Sequence, residues 1–68
     1  MNSLADALPA KMREVREEII PVYQSIGLAG TLAVAMVNGA LTRAETAMAQ
    51  GDTVAMLRAY AELKDYKL

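Results

Sequence analysis

Three carboxylates near the N-terminus are the first candidates for chemistry. Glu14 and Glu18 lie four residues apart, on one face of a predicted helix, and Glu17 lies beside them. Oxygen ligands at this spacing could bind a hard cation. The carboxylates alternate with Lys11 and Arg13, however, and mixed charges of this kind are typical of a solvated helix face. We therefore expect an exposed charged face and no metal site.

The sequence offers few other reactive side chains. It contains no Cys and no His, which excludes disulfides, thiolate metal sites and the Glu-x-x-His ligands of di-iron bundles. No nucleophile and base occur in a recognisable motif, and a helical domain of this size has little room for a concave pocket. We therefore expect a non-enzymatic protein without a cofactor.

The charge pattern also argues against a nucleic-acid partner. The formal net charge is −1, and the basic residues near the N-terminus are interleaved with acidic ones. The three tyrosines lie at helical spacing or at helix ends, where rings pack at the rim of a core rather than form a platform for bases. No binding to nucleic acid is expected.

The elements that must position these residues are predicted from hydrophobic periodicity and from turn signals. They form a single helical domain over residues 1–68, with helices at about 7–26, 31–50 and 52–66. In the first helix, apolar residues recur at spacings of four and three, which predicts a stripe facing a core. The stripe consists of Leu8, Met12, Val15, Ile19, Val22 and Ile26.

Two prolines lie within the first predicted helix. Asp6 is expected to cap this helix, so that Pro9 falls in the first turn, where a missing N–H costs little. Pro21 lies in the interior, where it removes the hydrogen bond to the carbonyl of Glu17 and favours a kink. Because the apolar stripe keeps its phase through Pro21, we favour one kinked helix over two separate ones.

Glycines mark the two connections between the predicted helices. Gly27 and Gly30 are expected to form the first turn, with Thr31 as the cap of the second helix. Gly51 is expected to adopt a left-handed conformation at the end of that helix, and Asp52 to cap the third. Short connections of this kind join antiparallel neighbours, so the fold class is all-α, a small three-helix bundle with a proline-kinked first helix.

The segment AQGDTVAMLRAYAEL resembles the Gly-Asp turn and second helix of tetratricopeptide-type hairpins. It covers less than a quarter of the chain, and no second copy follows at the period of about 34 residues that defines such repeats. The resemblance therefore implies a helix–turn–helix unit and not membership of the repeat family.

The second predicted helix has two unlike faces. One face points to the core of the domain, and the apolar phase continues across Asn38 and Gly39, which favours a continuous helix over one split by an Asn-Gly turn. On the other face, small residues would let another backbone come close, and from Leu32 to Val37 no direction is polar. The core face consists of Val34, Val37, Leu41, Ala44 and Met48. The predicted interface consists of Leu32, Ala35, Met36, Asn38, Gly39, Thr42 and Thr46.

A 68-residue domain without disulfides or metal is expected to need a partner chain for stability. A second copy, as a two-fold dimer, is the default solution. We therefore predict a protein–protein interaction module that self-associates through its second helix, and another protein remains open as a partner. Such a module could be an adaptor, an assembly factor or an inhibitor that docks on a larger bacterial or phage protein.

The alternative is a membrane-associated helical protein whose 26–41 segment enters lipid. A span needs roughly 20 predominantly apolar residues, and the densest apolar run here, residues 26–37, is shorter and rich in Gly and Ala. Membrane association is therefore not favoured. Asp6 and Pro9 stand where a signal peptide would need basic and then apolar residues, so we expect a cytoplasmic protein.

Overall fold

The computed structural model describes residues 3–67, and 86% of them are helical, with no strand in that range. The all-helical fold with three helical rods is as predicted. The first rod joins three pieces without a break, and the other two rods are single helices. The elements are α1 (Leu4–Glu14), a π-helical turn (Val15–Ile19), α2 (Ile20–Gln24), α3 (Leu28–Gln50) and α4 (Thr53–Lys64).

The first rod begins at Leu4 because Ser3, and not Asp6, is its N-cap. The Asp6 N–H donates to the Ser3 hydroxyl at 3.3 Å, and that hydroxyl donates to the Asp6 carboxylate at 3.1 Å. This reciprocal pair resembles a capping box. With the earlier start, Pro9 lies beyond the first turn, where it removes the hydrogen bond to the carbonyl of Ala5.

A π-helical turn ends two residues before Pro21. The Ile20 N–H donates to the carbonyl of Val15, five residues back, so this turn holds one residue more than an α-helical turn. Pro21 has no N–H, and its ring opposes a regular α-helical approach to Glu17. The rod therefore continues past the proline, but with its side chains shifted in phase.

The phase shift corrects the predicted core stripe. The stripe is buried as predicted as far as Ile19, and beyond the π turn Ile20 and Tyr23 pack against the core instead. Val22 and Ile26, which periodicity placed in the stripe, are exposed. The prediction was wrong here because it assumed one uninterrupted 3.6-residue period.

The turn between α2 and α3 is shorter than predicted. Gly27 adopts a φ of +98° and is the N-cap of α3, which begins at Leu28. Thr31 is not the cap, because its hydroxyl lies inside the helix and donates to the carbonyl of Gly27 at 3.1 Å. Gly30 likewise lies inside α3 and is buried, rather than in the turn.

The turn between α3 and α4 is as predicted. Gly51 adopts the left-handed conformation with a φ of +65°. The Asp52 carboxylate caps α4 by accepting from the Ala55 N–H at 3.1 Å, and the Asp52 N–H donates to the carbonyl of Ala47 at 3.1 Å. This is the bond pattern of a Schellman end followed by an N-cap. α3 itself is continuous through Asn38 and Gly39.

The helices differ in length, and this difference shapes the core. α3 has 23 residues, about 35 Å at 1.5 Å per residue, which matches the 36 Å long axis of the molecule. α4 has 12 residues, about 18 Å, and runs back from the C-terminal end of α3. It therefore covers only about half of α3. The buried core consists of Leu8, Met12, Val15, Ile19, Val37, Ala40, Leu41, Ala44, Ala47, Ala59 and Leu63.

Candidate functional site

The candidate site is an apolar patch on the part of the molecule that α4 does not cover. Five large aliphatic side chains from the end of the first rod and the first half of α3 are exposed to between 42% and 78%. They come from one short part of the chain. The apolar patch consists of Val22, Ile26, Leu28, Leu32 and Met36.

Helix geometry places four of the predicted interface residues, Leu32, Ala35, Met36 and Gly39, on the same side of α3 as Leu28. Leu28, Leu32 and Met36 follow one another at intervals of four, so they share one face of the helix. Ala35, which is exposed, and Gly39, which is half-buried, lie next to this row. The first half of α3 is thus not enclosed on all sides within one copy of the chain.

Gly30 brings the end of the first rod against α3. A Cβ atom added at Gly30 would lie 1.7 Å from the carbonyl oxygen of Tyr23 and 3.1 Å from the Cβ of Ile26. Only glycine permits such a close backbone approach. The Tyr23 hydroxyl also donates to the carbonyl of Lys67 at 3.4 Å. These contacts hold Ile26 beside α3, and the π turn keeps Val22 outside the core.

Gly39 has a different environment from Gly30. A Cβ atom added there would meet only the guanidinium of Arg43, with Nη1 at 3.3 Å. Arg43 in turn donates to the Glu62 carboxylate of α4 at 2.7 Å. The cover over Gly39 is thus the flexible end of one exposed side chain, and no other helix packs on it within one copy.

The remaining predicted interface residues lie beyond the patch along α3. Asn38 is exposed at the edge, and its carbonyl accepts from the Thr42 hydroxyl at 3.0 Å. Thr42 and Thr46 are exposed and line a shallow groove between α3 and α4, beside Arg43 and other charged residues. The structure therefore groups Leu32, Ala35, Met36 and Gly39 with the patch, and the two threonines with the groove.

The stretch of sequence that carries the patch is uncharged. The sequence has no charged residue between Glu18 and Arg43. Ion pairs that join different rods lie at the other end of the molecule, where Arg16 pairs with Glu45 and Arg43 pairs with Glu62. Outside this stretch of sequence, Lys67 lies close to the patch, because its carbonyl accepts from the hydroxyl of Tyr23.

The N-terminal carboxylates lie on a solvated face, as predicted. The Lys11 ammonium donates to the Glu14 carboxylate at 2.6 Å, and this hydrogen bond raises the pKa of Lys11. Glu17 and Glu18 are exposed. Among residues 3–67, no three metal-ligating side chains come close enough to hold an ion.

Sequence reasoning missed Val22, Ile26 and Leu28 as interface candidates. It had assigned the first two to the core and the third to neither face. Two signals in the sequence point to them, namely the four-residue spacing of Leu28 and Leu32 and the proline that shifts the phase of the first rod.

Within residues 3–67, no helix has the length and apolar character needed to cross a bilayer.

Comparison with known protein families, with curated proteins and with solved structures finds no match to this chain. The geometry of the patch is therefore the basis for a functional proposal.

Proposed function

We propose that this protein is a non-enzymatic interaction module, and that two copies associate through the first half of α3. The observation that carries the proposal is the apolar patch. Five large aliphatic side chains between residues 22 and 36 are exposed, in a stretch of sequence without charge. Exposed apolar surface of this kind marks interaction sites on soluble proteins.

The amount of exposed surface is what a small dimer requires. The exposed fractions of the patch add up to about three fully exposed aliphatic side chains per copy. Burying six such side chains in a dimer is worth about 9 to 18 kcal/mol, at about 1.5 to 3 kcal/mol each. Association costs about 4 to 15 kcal/mol. The middle values of these two ranges differ by about 4 kcal/mol, which corresponds to a reversible dimer with a Kd of roughly 1 mM.

The absence of charge in the stretch of sequence that carries the patch favours a second copy over a lipid surface. Helices that lie on membranes place Lys and Arg beside their apolar face, where these residues attract anionic lipids. Here no basic residue occurs between Arg16 and Arg43. Two identical uncharged surfaces bring no like charges together.

The proposal also covers the shape and role of the module. We propose that the first rod bends at the π turn and Pro21, because the widened turn and the missing hydrogen bond both weaken the helix there. The dimer would then act in the cytoplasm as an adaptor, assembly factor or inhibitor. It needs no cofactor and no nucleic acid for this role.

Sedimentation equilibrium over micromolar to millimolar protein tests the proposal. We expect a reversible monomer–dimer equilibrium for the parent chain. Leu32→Lys should weaken the dimer by at least tenfold, because a charge is then placed in the patch. Leu57→Lys is the matched control, since Leu57 on α4 is exposed to 55% against 62% for Leu32 but lies outside the patch.

Three results would contradict the proposal. A parent chain that remains monomeric at millimolar concentration would show that the patch does not pair with itself. Flotation of the parent, but not of Leu32→Lys, with liposomes would assign the patch to lipid instead. Equal loss of dimer in the Leu32 and Leu57 variants would show that the patch has no special part in association.

A further inference from the structure

We propose that the two copies pair antiparallel along α3, with Leu28 of each copy packed over Gly39 of the other and Leu32 over Ala35. The inference rests on the proposed self-association and adds its orientation and register. It follows from how large and small residues are distributed along one face of the helix.

The four residues form a narrow seam. At about 100° per residue, Leu28, Leu32, Ala35 and Gly39 fall within roughly 60° of one another around the helix axis. The two leucines, exposed to 78% and 62%, occupy the N-terminal part of the seam. The two small residues occupy the C-terminal part. Met36 lies about 40° outside this range, at the edge of the seam, so the seam itself is large at one end and small at the other.

An antiparallel pairing places the large end of the seam of one copy against the small end of the seam of the other. Leu28 and Gly39 are equally far from the midpoint between residues 33 and 34, and so are Leu32 and Ala35. A single two-fold axis at that midpoint thus places each leucine at the level of a small residue of the other copy. Helix pairs approach closely where a large side chain fills the space above a small one.

A parallel pairing lacks this match. It would place Leu28 against Leu28 and Gly39 against Gly39, which crowds one end of the seam and leaves a gap at the other. It would also bring the two copies of Arg43 to the same level, next to Gly39. In the antiparallel pairing, the two copies of Arg43 lie instead beyond opposite ends of the seam.

Cysteine cross-linking tests the orientation directly, since the chain contains no cysteine of its own. Leu28→Cys and Gly39→Cys variants, one of them carrying a mass tag, are mixed and oxidised near the Kd of the parent. We expect a disulfide between the two variants. We expect almost none in Leu28→Cys alone, because its two copies lie about 16 Å apart along the axis, beyond the Cα limit of about 7 Å for a disulfide.

The Leu28→Cys variant removes a leucine of the seam and could weaken the dimer by itself. A second test therefore exchanges the large and the small residue of one pair. Gly39→Leu should raise the dimer Kd at least tenfold, since two leucines then meet. Adding Leu28→Ala in the same chain should recover most of that loss, because each new leucine then faces an alanine. Circular dichroism checks that all variants remain helical.

The outcomes separate the two proposals. A disulfide that forms in Leu28→Cys alone would show parallel pairing and overturn the inference. If the parent chain dimerises but neither disulfide forms in the cysteine variants, the register is overturned. The same holds if the double variant dimerises no more tightly than Gly39→Leu. Both results would leave self-association intact. A monomeric parent chain would overturn both.

Discussion

The two halves of α3 differ in how far the rest of the chain covers them, although they form one continuous helix. From Val37 onward, α1 and α4 cover the inner face, and ion pairs from α3 to both neighbouring rods close the edges. From Leu28 to Met36 the helix is covered mainly by the end of the first rod, and only Gly30 is fully buried. The sequence of the first half is nevertheless the more apolar of the two.

The difference shows that the apolar content of a helix segment does not by itself determine how deeply the segment is buried. Burial in one copy follows the length of the neighbouring helices, and α4 is too short to reach the start of α3. The apolar residues beyond its reach contribute little to the folding of one copy. They remain available for association.

The largest effect on the free energy of unfolding is expected when a leucine is truncated to alanine in each half of α3. Leu41→Ala should lower the free energy of unfolding by about 2 to 5 kcal/mol, because Leu41 is only 4% exposed and its loss leaves a cavity. Leu32→Ala should change it by less than about 0.5 kcal/mol, as is usual at exposed sites. Urea unfolding followed by circular dichroism, at a concentration where the chain is monomeric, measures both.

The two leucine variants should show the reverse order in association. Leu32→Ala should weaken the dimer, whereas any Leu41→Ala chain that still folds should retain it. Equal destabilisation of the monomer by both substitutions would show that the first half of α3 is as much part of the core as the second.

The second prediction compares the two glycines of α3. Gly30→Ala should destabilise the monomer by about 1 to 3 kcal/mol, because its Cβ would lie 1.7 Å from the carbonyl oxygen of Tyr23 and the two backbones must separate. Gly39→Ala should stabilise it by up to about 1 kcal/mol through helix propensity. Thermal unfolding of both variants decides the matter, and a stabilised Gly30→Ala would contradict the close contact of α2 with α3.

These comparisons show how far the sequence predicts the fold. Capping and turn chemistry is local, so the Gly51–Asp52 connection and the continuity of α3 through Asn38 were predictable from neighbouring residues alone. The helical character of the three rods followed from periodicity for the same reason. Ser3 was missed because Ser and Asp are about equally good N-caps, so the neighbouring residues do not distinguish a helix that starts at Leu4 from one that starts at Ala7.

The site was less predictable, since it depends on contacts between elements. A glycine that permits a close backbone approach and a glycine that forms a turn look the same in a sequence, so Gly30 was placed in the turn. The π turn adds one residue to the helix just before Pro21, and a regular 3.6-residue period contains no such turn. Its one-residue shift exposes Val22 and Ile26, which enlarges the patch beyond the predicted residues.

The third prediction concerns this shift. Pro21→Ala should raise the free energy of unfolding by about 1 kcal/mol, part of the roughly 3 kcal/mol that proline costs inside a helix. It should also weaken the dimer, because a rod free to return to α-helical phase turns Val22 and Ile26 towards the core. Pro9→Ala is the control, since it restores a hydrogen bond in the same rod without a π turn nearby. Sedimentation should find its dimer unchanged, and an unchanged dimer in Pro21→Ala would show that the proline does not shape the patch.

The smallest effect on stability is expected for the ion pair that joins the second half of α3 to α4. Arg43→Gln should cost less than about 0.5 kcal/mol of monomer stability, because the pair with Glu62 is exposed and solvent screens it. The loss should disappear in 1 M salt, where the Debye length is about 3 Å. Dimerisation of the parent should by contrast change little with salt, since the patch contains no charge. Urea unfolding and sedimentation at low and high salt measure the two effects. A dimer that dissociates as salt rises would mean that charged residues of the second half, and not the apolar first half, hold the copies together.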